Sequence, residues 1–177
     1  MIPVSPSLED RRKARKEAKD MGCLFRSFTR GEGNQIGMMG EILVHRMLKG
    51  KRVGHKMYDF DIVMPNGITV DVKTARAEGI PQPHYTARVY GAENKFDKLS
   101  TKCDVYFFVR CNKQMTKATL IGWLPAKSFM EKALFLPKGN VDPNDGKLSF
   151  ADEYTLPISE LNPPSVKITK RRVVAKG

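Results

Sequence analysis

Asp59-Phe60-Asp61-Ile62-Val63-Met64-Pro65-Asn66-Gly67-Ile68-Thr69-Val70-Asp71-Val72-Lys73-Thr74 is the stretch on which the fold turns. In its second half Ile68, Val70 and Val72 alternate with Thr69, Asp71 and Lys73, the period of a strand with one buried face. In its first half Phe60, Ile62 and Met64 alternate with Asp59, Asp61 and Val63. Pro65-Asn66-Gly67 between them is the strongest hairpin punctuation in the chain. Register then decides whether the acids meet. A two-residue Asn66-Gly67 turn sets Asp61 opposite Val72, whereas a three-residue loop with Gly67 left-handed pairs Met64 with Ile68 and Asp61 with Asp71. Only the longer loop keeps both apolar faces on one side, so two carboxylates are expected within about 5 Å at Cβ. Ionised carboxylates that close repel unless a cation lies between them. Lys73, one pleat away, supplies part of that charge, and a divalent metal would supply the rest.

Upstream, a helix is expected from about Gln35 to Lys49, with Ile36, Met39, Leu43 and Met47 at helical spacing and Gly50 ending it. The first strand is expected over Met57–Met64 and the second over Ile68–Lys73. Downstream, a loop over residues 74–84 leads to a short strand at Tyr85–Tyr90 and a short helix at Ala92–Leu99. Asp104–Val109 reads as a buried strand, paired with Ala118–Leu124 across Asn112-Lys113-Gln114-Met115. Pro125 stands where helices begin, ahead of a helix over Ala126–Leu134. Lys138–Ser149 is a Gly/Pro/Asn/Asp-rich loop, Phe150–Ile158 a weak strand, and Ser159-Glu160-Leu161 a final turn. The expected class is α/β, a mixed sheet flanked by helices. Residues 34–162 form the core, 1–33 a basic helical arm and 163–177 a basic tail.

The 177 residues suffice for one compact domain with appendages, and an apolar fraction of 41% supplies a core. The 31 Lys+Arg against 19 Asp+Glu leave a formal charge of +12, which calls for a polyanionic partner, by default nucleic acid. No apolar run is long enough to span a membrane and Met1–Pro6 has no signal core, so a cytoplasmic protein is expected. Cys23, Cys103 and Cys111 form neither a disulfide framework nor a zinc site, and His45, His55 and His84 have no metal-binding spacing. Any metal would be held by oxygen and would be Mg²⁺ or Mn²⁺.

In a basic chain an acid on a phosphate-facing surface is repulsive without a bridging cation. Metal-dependent phosphodiester hydrolysis needs carboxylates for the metal. It also needs a lysine to orient or deprotonate water and to stabilise the pentavalent phosphorane. Glu41, off the apolar stripe of the preceding helix, is the obvious further carboxylate. Gly40-Glu41 on a helix, Asp59-Phe60-Asp61-Ile62-Val63, a hairpin and Asp71-Val72-Lys73-Thr74 together resemble the PD-(D/E)XK nuclease superfamily, over roughly residues 35–135. The resemblance implies a restriction-endonuclease-like αβββαβ core and an Mg²⁺-dependent endodeoxyribonuclease of the small stand-alone, phage-encoded type. It assigns Asp61, Asp71, Lys73 and Glu41 as catalytic, with Asp61, Asp71 and Glu41 holding the metal. Phe60 stands where the family usually has proline, and Asp59 competes with Asp61 for the ligand position.

Arg11, Arg12, Lys13, Arg15 and Lys16 in the arm, and Lys170, Arg171 and Arg172 in the tail, are the expected nucleic-acid contacts. They could grip two duplex segments, as a junction-cleaving or nicking homodimer would. DNA is the expected substrate, and RNA presents the same backbone. The competing account is a non-catalytic basic nucleic-acid-binding protein whose carboxylates are structural. His45, His84, Gln82, Trp123 and the Phe107-Phe108 pair read as surface, loop or core residues. Tyr85 and Tyr90 are the better stacking candidates, and Asp142 and Asp145 lack the terminal glutamate of a calcium loop.

Overall fold

The computed structural model describes residues 1–21, 34–53, 59–90 and 102–168, and shows a mixed α/β fold. The elements in chain order are β1 (Ile2–Val4), α1 (Leu8–Met21), α2 (Asn34–Leu48), β2 (Lys51–Arg52), β3 (Ile62–Val63), β4 (Thr69–Arg76) and β5 (Thr86–Tyr90). There follow β6 (Val105–Cys111), β7 (Ala118–Pro125), α3 (Ala126–Lys132), β8 (Leu134–Leu136), β9 (Glu153–Pro157) and a terminal 3₁₀ turn, Ile158–Glu160. Among the described residues six strands form a sheet in the order β1-β7-β6-β4-β3-β2, and β5-β9-β8 form a second, antiparallel sheet. Within the large sheet β4 and β6 run parallel and the other pairs antiparallel. A parallel pair requires a crossover. Here it includes β5 and residues 91–101; the helix expected at Ala92–Leu99 lies outside the described residues.

One face of the large sheet carries Ile62, Val70, Val72, Val105, Phe107, Val109 and Trp123 against α1 and α2. Fully burying a side chain such as Phe107 contributes about 1.5–3 kcal/mol. Gly40 lets α2 approach β4, since a Cβ there would lie 1.8 Å from Thr74 Oγ1. α1, expected as an arm, docks on α2 through Ala14 and Ala18. Its start is locked where Ser7 and Asp10 bond each other's backbone N–H, a reciprocal cap. Asp10 also holds Arg46 of α2. β1, which the sequence pattern does not reveal, adds an edge strand to β7.

The opposite face carries Tyr106, Phe108, Ile121 and Leu124 against α3 and the small sheet. At its start β4 is fixed to β6 by Asp104, whose carboxylate accepts from the Thr69 N–H at 3.0 Å and hydroxyl at 3.1 Å. The β6–β7 turn closes where Asn112 Oδ1 accepts the N–H groups of Thr116 and Lys117. Several expected elements are redrawn. Of the strand expected over Met57–Met64, Met57 and Tyr58 lie outside the described residues, and Ile62–Val63 is the part that forms among residues 59–64. The strand expected at Tyr85–Tyr90 forms, but in the second sheet, with β9 in place of the weak strand at Phe150–Ile158. The helix over Ala126–Leu134 ends at Lys132, because Ala133 is extended and Leu134 enters β8 beside Thr155. No helix among the described residues is long and apolar enough to cross a membrane.

Candidate functional site

The hairpin forms in the expected register as far as Ile62. Met64 N–H donates to Ile68 O at 2.8 Å, Val63 pairs with Thr69 and Ile62 with Val70. Gly67 closes the loop at φ +78°, a conformation a side chain would disfavour. The expected pairing of Asp61 with Asp71 is not made. Asp61 N–H donates to Val70 O, which already faces Ile62, so the ladder breaks at Asp61. Its carboxylate then takes the place of a backbone acceptor, with Oδ2 2.7 Å from the Val72 N–H. Asp61 is thereby pinned over the backbone of β4 rather than across from Asp71.

Asp71 and Lys73 share the face of β4 opposite Val70 and Val72, and Lys73 Nζ lies 2.7 Å from Asp71 Oδ2. The Lys73 ammonium also stands 5.9 Å from the Tyr106 ring centre, within cation–π reach. Glu41 is buried in α2 and accepts from Arg52 at 2.7 Å, and Arg52 holds Glu17 of α1 at 2.9 Å. Gly40 is what brings the Glu41 segment this close to β4. Asp59 is half exposed and pairs with Lys102 at 3.3 Å, away from this group, so Asp61 rather than Asp59 is the acid beside β4.

The electrostatics tie the four residues together. Burial, then the charges of Asp71 and Glu41, push the Asp61 carboxyl up to about 8, against the opposing pull of the Val72 N–H and Lys73. Burial pulls the Lys73 ammonium down, but Asp71 and then Asp61 outweigh it and leave its pKa above the ordinary value. Lys73 is therefore a cation at neutral pH and not a base. The Cys103 thiol is pushed up to about 12 by burial and by Asp71, and stays neutral.

Asp61, Asp71, Lys73 and Glu41 are thus neighbours, but two of the three acids already hold a cation. Among the described residues no three His, Cys, Asp or Glu side chains form a ready-made metal-ligating group. The donor chemistry nonetheless fits a hard divalent cation, being carboxylate oxygen throughout. Asp61 meets only a neutral N–H, and its raised pKa reports the charge that such a cation would relieve. The fit requires Lys73 to swing from Asp71, a step open to a side chain 35% exposed.

Arg52 and Glu17 were not foreseen. Neither carries a periodic signal, and a two-residue strand cannot be read from alternation. Of the expected nucleic-acid contacts, Arg12, Lys13, Arg15 and Lys16 are exposed on α1, while Arg11 is half-buried and reaches Ser7 O at 3.4 Å. Lys170, Arg171 and Arg172 lie outside the described residues. His84 and Gln82 are exposed, and Trp123, Phe107 and Phe108 are core. No protein-family model matches the chain, and a search of curated proteins returned no match.

Proposed function

We propose that the chain is a metal-dependent endonuclease that hydrolyses DNA phosphodiester bonds, built on a restriction-endonuclease-like core of the PD-(D/E)XK type. The observation that carries this reading is the carboxylate of Asp61, buried beside Asp71, Glu41 and Lys73 with its proton held up to about 8, in a chain of net charge +12. A carboxyl kept buried and protonated beside two other acids is costly unless it has a use. Asp61, Asp71 and Glu41 would hold Mg²⁺ or Mn²⁺, which when bound polarises a phosphoryl oxygen and lowers the pKa of water. Lys73, protonated, places its charge against the negative phosphorane rather than removing a proton, a narrower role than the sequence pattern allows. Asp61, fixed through one oxygen by the Val72 N–H, would offer the other to the metal. The exposed cations of α1 neutralise flanking phosphates, and α1 abuts the site through Glu17 and Arg52.

Supercoiled plasmid tests this directly. Nicking is expected with Mg²⁺ or Mn²⁺, abolished by EDTA, and lost in Asp71→Ala and Lys73→Ala. Scission that persists in EDTA, or that survives both substitutions, overturns the reading. Faster cleavage of a mobile four-way junction than of linear duplex would mark a resolvase-like dimer.

The competing reading, a non-catalytic basic nucleic-acid-binding protein, draws on the Glu41–Arg52 and Asp71–Lys73 ion pairs, which neutralise two of the three acids without a metal. It demands salt-sensitive, metal-independent binding with no scission.

A further inference from the structure

Arg110 is a sheltered guanidinium with no acid bound to it among the described residues. It is 9% exposed, and its Nε–H is buried with no acceptor. Arg52, whose Nε–H is likewise without an acceptor, and Arg88, the arginines most comparable in burial, each hold two or more carboxylates through their terminal nitrogens. Arg110 instead lies 4.8 Å from the centre of the Tyr85 ring, and Lys147 Nζ lies 5.2 Å from the same ring. Two cations therefore lie against one aromatic ring. Asp145, the acid whose charge acts on Arg110, is already held by Arg88 at 2.8 Å and by the Thr86 hydroxyl at 3.0 Å, with Lys147 a looser partner at 3.6 Å. An unsatisfied buried donor is expensive to keep, by more than a made bond returns.

The position is as telling as the missing partner. Tyr106 and Phe108 of β6 line the face opposite α2, and Arg110 follows them in the alternation. In the parallel β4–β6 register Asp71 faces Tyr106, Lys73 faces Phe108 and Ala75 faces Arg110. Arg110 thus stands on the Asp71–Lys73 face, two residues further along, about 7 Å by strand rise. A planar guanidinium suits a phosphate better than a point charge does, because it offers paired donors.

We propose that Arg110 and Lys147, assembled on Tyr85, form a phosphate subsite that grips the nucleic-acid backbone next to the phosphodiester lying at Lys73. This subsite rests on the nuclease reading for its place beside the chemistry, but not for its binding. Arg110 lies on the Tyr85 ring with no acid at ion-pair distance among the described residues, and Lys147 keeps only a 3.6 Å contact with Asp145, so both cations retain donors for an anion.

The full-length chain is titrated with a fluorescein-labelled DNA duplex by anisotropy in EDTA, over a range of salt, so that binding is read without scission. Arg110→Gln, confirmed folded by circular dichroism, is expected to reduce the slope of log K against log salt by about 0.9 and to weaken binding roughly fivefold at 0.15 M salt. A purely structural role for Arg110 would change the melting temperature and leave that slope intact. A wild-type slope in the folded variant overturns the proposal. Where Arg110→Gln does not fold, Lys147→Gln decides, since its side chain is 55% exposed. The same loss of slope supports the subsite and an unchanged slope overturns it. Metal-dependent nicking by the wild type alongside an unaltered variant slope would sink the subsite alone. A reduced slope in a chain that never nicks would sink the nuclease reading alone.

Discussion

Two groups of buried charge, one on each sheet, solve the same problem in opposite ways. On the small sheet Arg88 of β5 donates to Glu153 of β9 at 2.5 Å, to Asp145 at 2.8 Å and to Asp142 at 3.3 Å, all three acids being almost wholly buried. Neighbouring donors complete the shell: Asn144 N–H on Asp142, and the Thr86 hydroxyl and Lys147 N–H on Asp145. Beside β4 three acids have two cations at ion-pair distance, Lys73 and Arg52, yet Asp61 receives only the Val72 N–H. The pKa directions separate the two. Against the cost of burial, the Lys147 N–H, Thr86 and Arg88 hold Asp145 below its ordinary value, whereas Asp61 is driven to about 8. The first group is closed by its hydrogen bonds and ties a loop to a sheet. The second stays open, with Asp61 keeping its proton and ion-paired to no cation among the described residues.

The largest expected effect lies on the open side. Asp71→Asn should reduce metal-dependent plasmid nicking by about 10³-fold, the scale of removing one group that stabilises a transition state, with the melting temperature moved by only a few degrees. An equal loss of fold and activity would erase the contrast. On the closed side, Arg88→Met strands three buried acids. It should cost about 3–5 kcal/mol, seen as a melting temperature lower by about 10 °C or more, because breaking a buried pair leaves its charges uncompensated.

The two groups should also respond to pH with opposite signs. Asp61 has a folded pKa above its unfolded value, so the folded state keeps a proton the unfolded chain has lost. In EDTA, stability should therefore fall as pH rises from about 4 to about 8, and Asp61→Asn should flatten that decline. Asp145 has a depressed folded pKa. Its contribution is present above the unfolded value near 3.8 and is lost as pH falls through the folded one, so Asp145→Asn should blunt the acid limb of a melting curve series. Thermal melts across pH 3–9 check both. The smallest effect expected is outside either group: Ser7→Ala, which removes the α1 cap, should cost about 1 kcal/mol by urea titration.

The amino-acid pattern alone determined the hairpin and the stripe of α2, because turn chemistry and side-chain period act over a few residues, whereas Glu41 was placed with Asp61, Asp71 and Lys73 by metal-site chemistry and the family resemblance. Gly67 dictates the turn, and alternation of Ile68, Val70 and Val72 dictates the buried face. Tertiary structure decided what no local rule encodes. The ladder breaks at Asp61, which exchanges a place opposite Asp71 for the Val72 N–H. Lys51–Arg52 finds a sheet edge and turns Arg52 onto Glu41 and Glu17. Arg88 meets Glu153 across 65 positions of chain, and Thr86–Tyr90 leaves the first sheet for the second. These depend on which distant charges and edges the packed chain brings together, and a Coulomb partner leaves no periodic mark on a sequence.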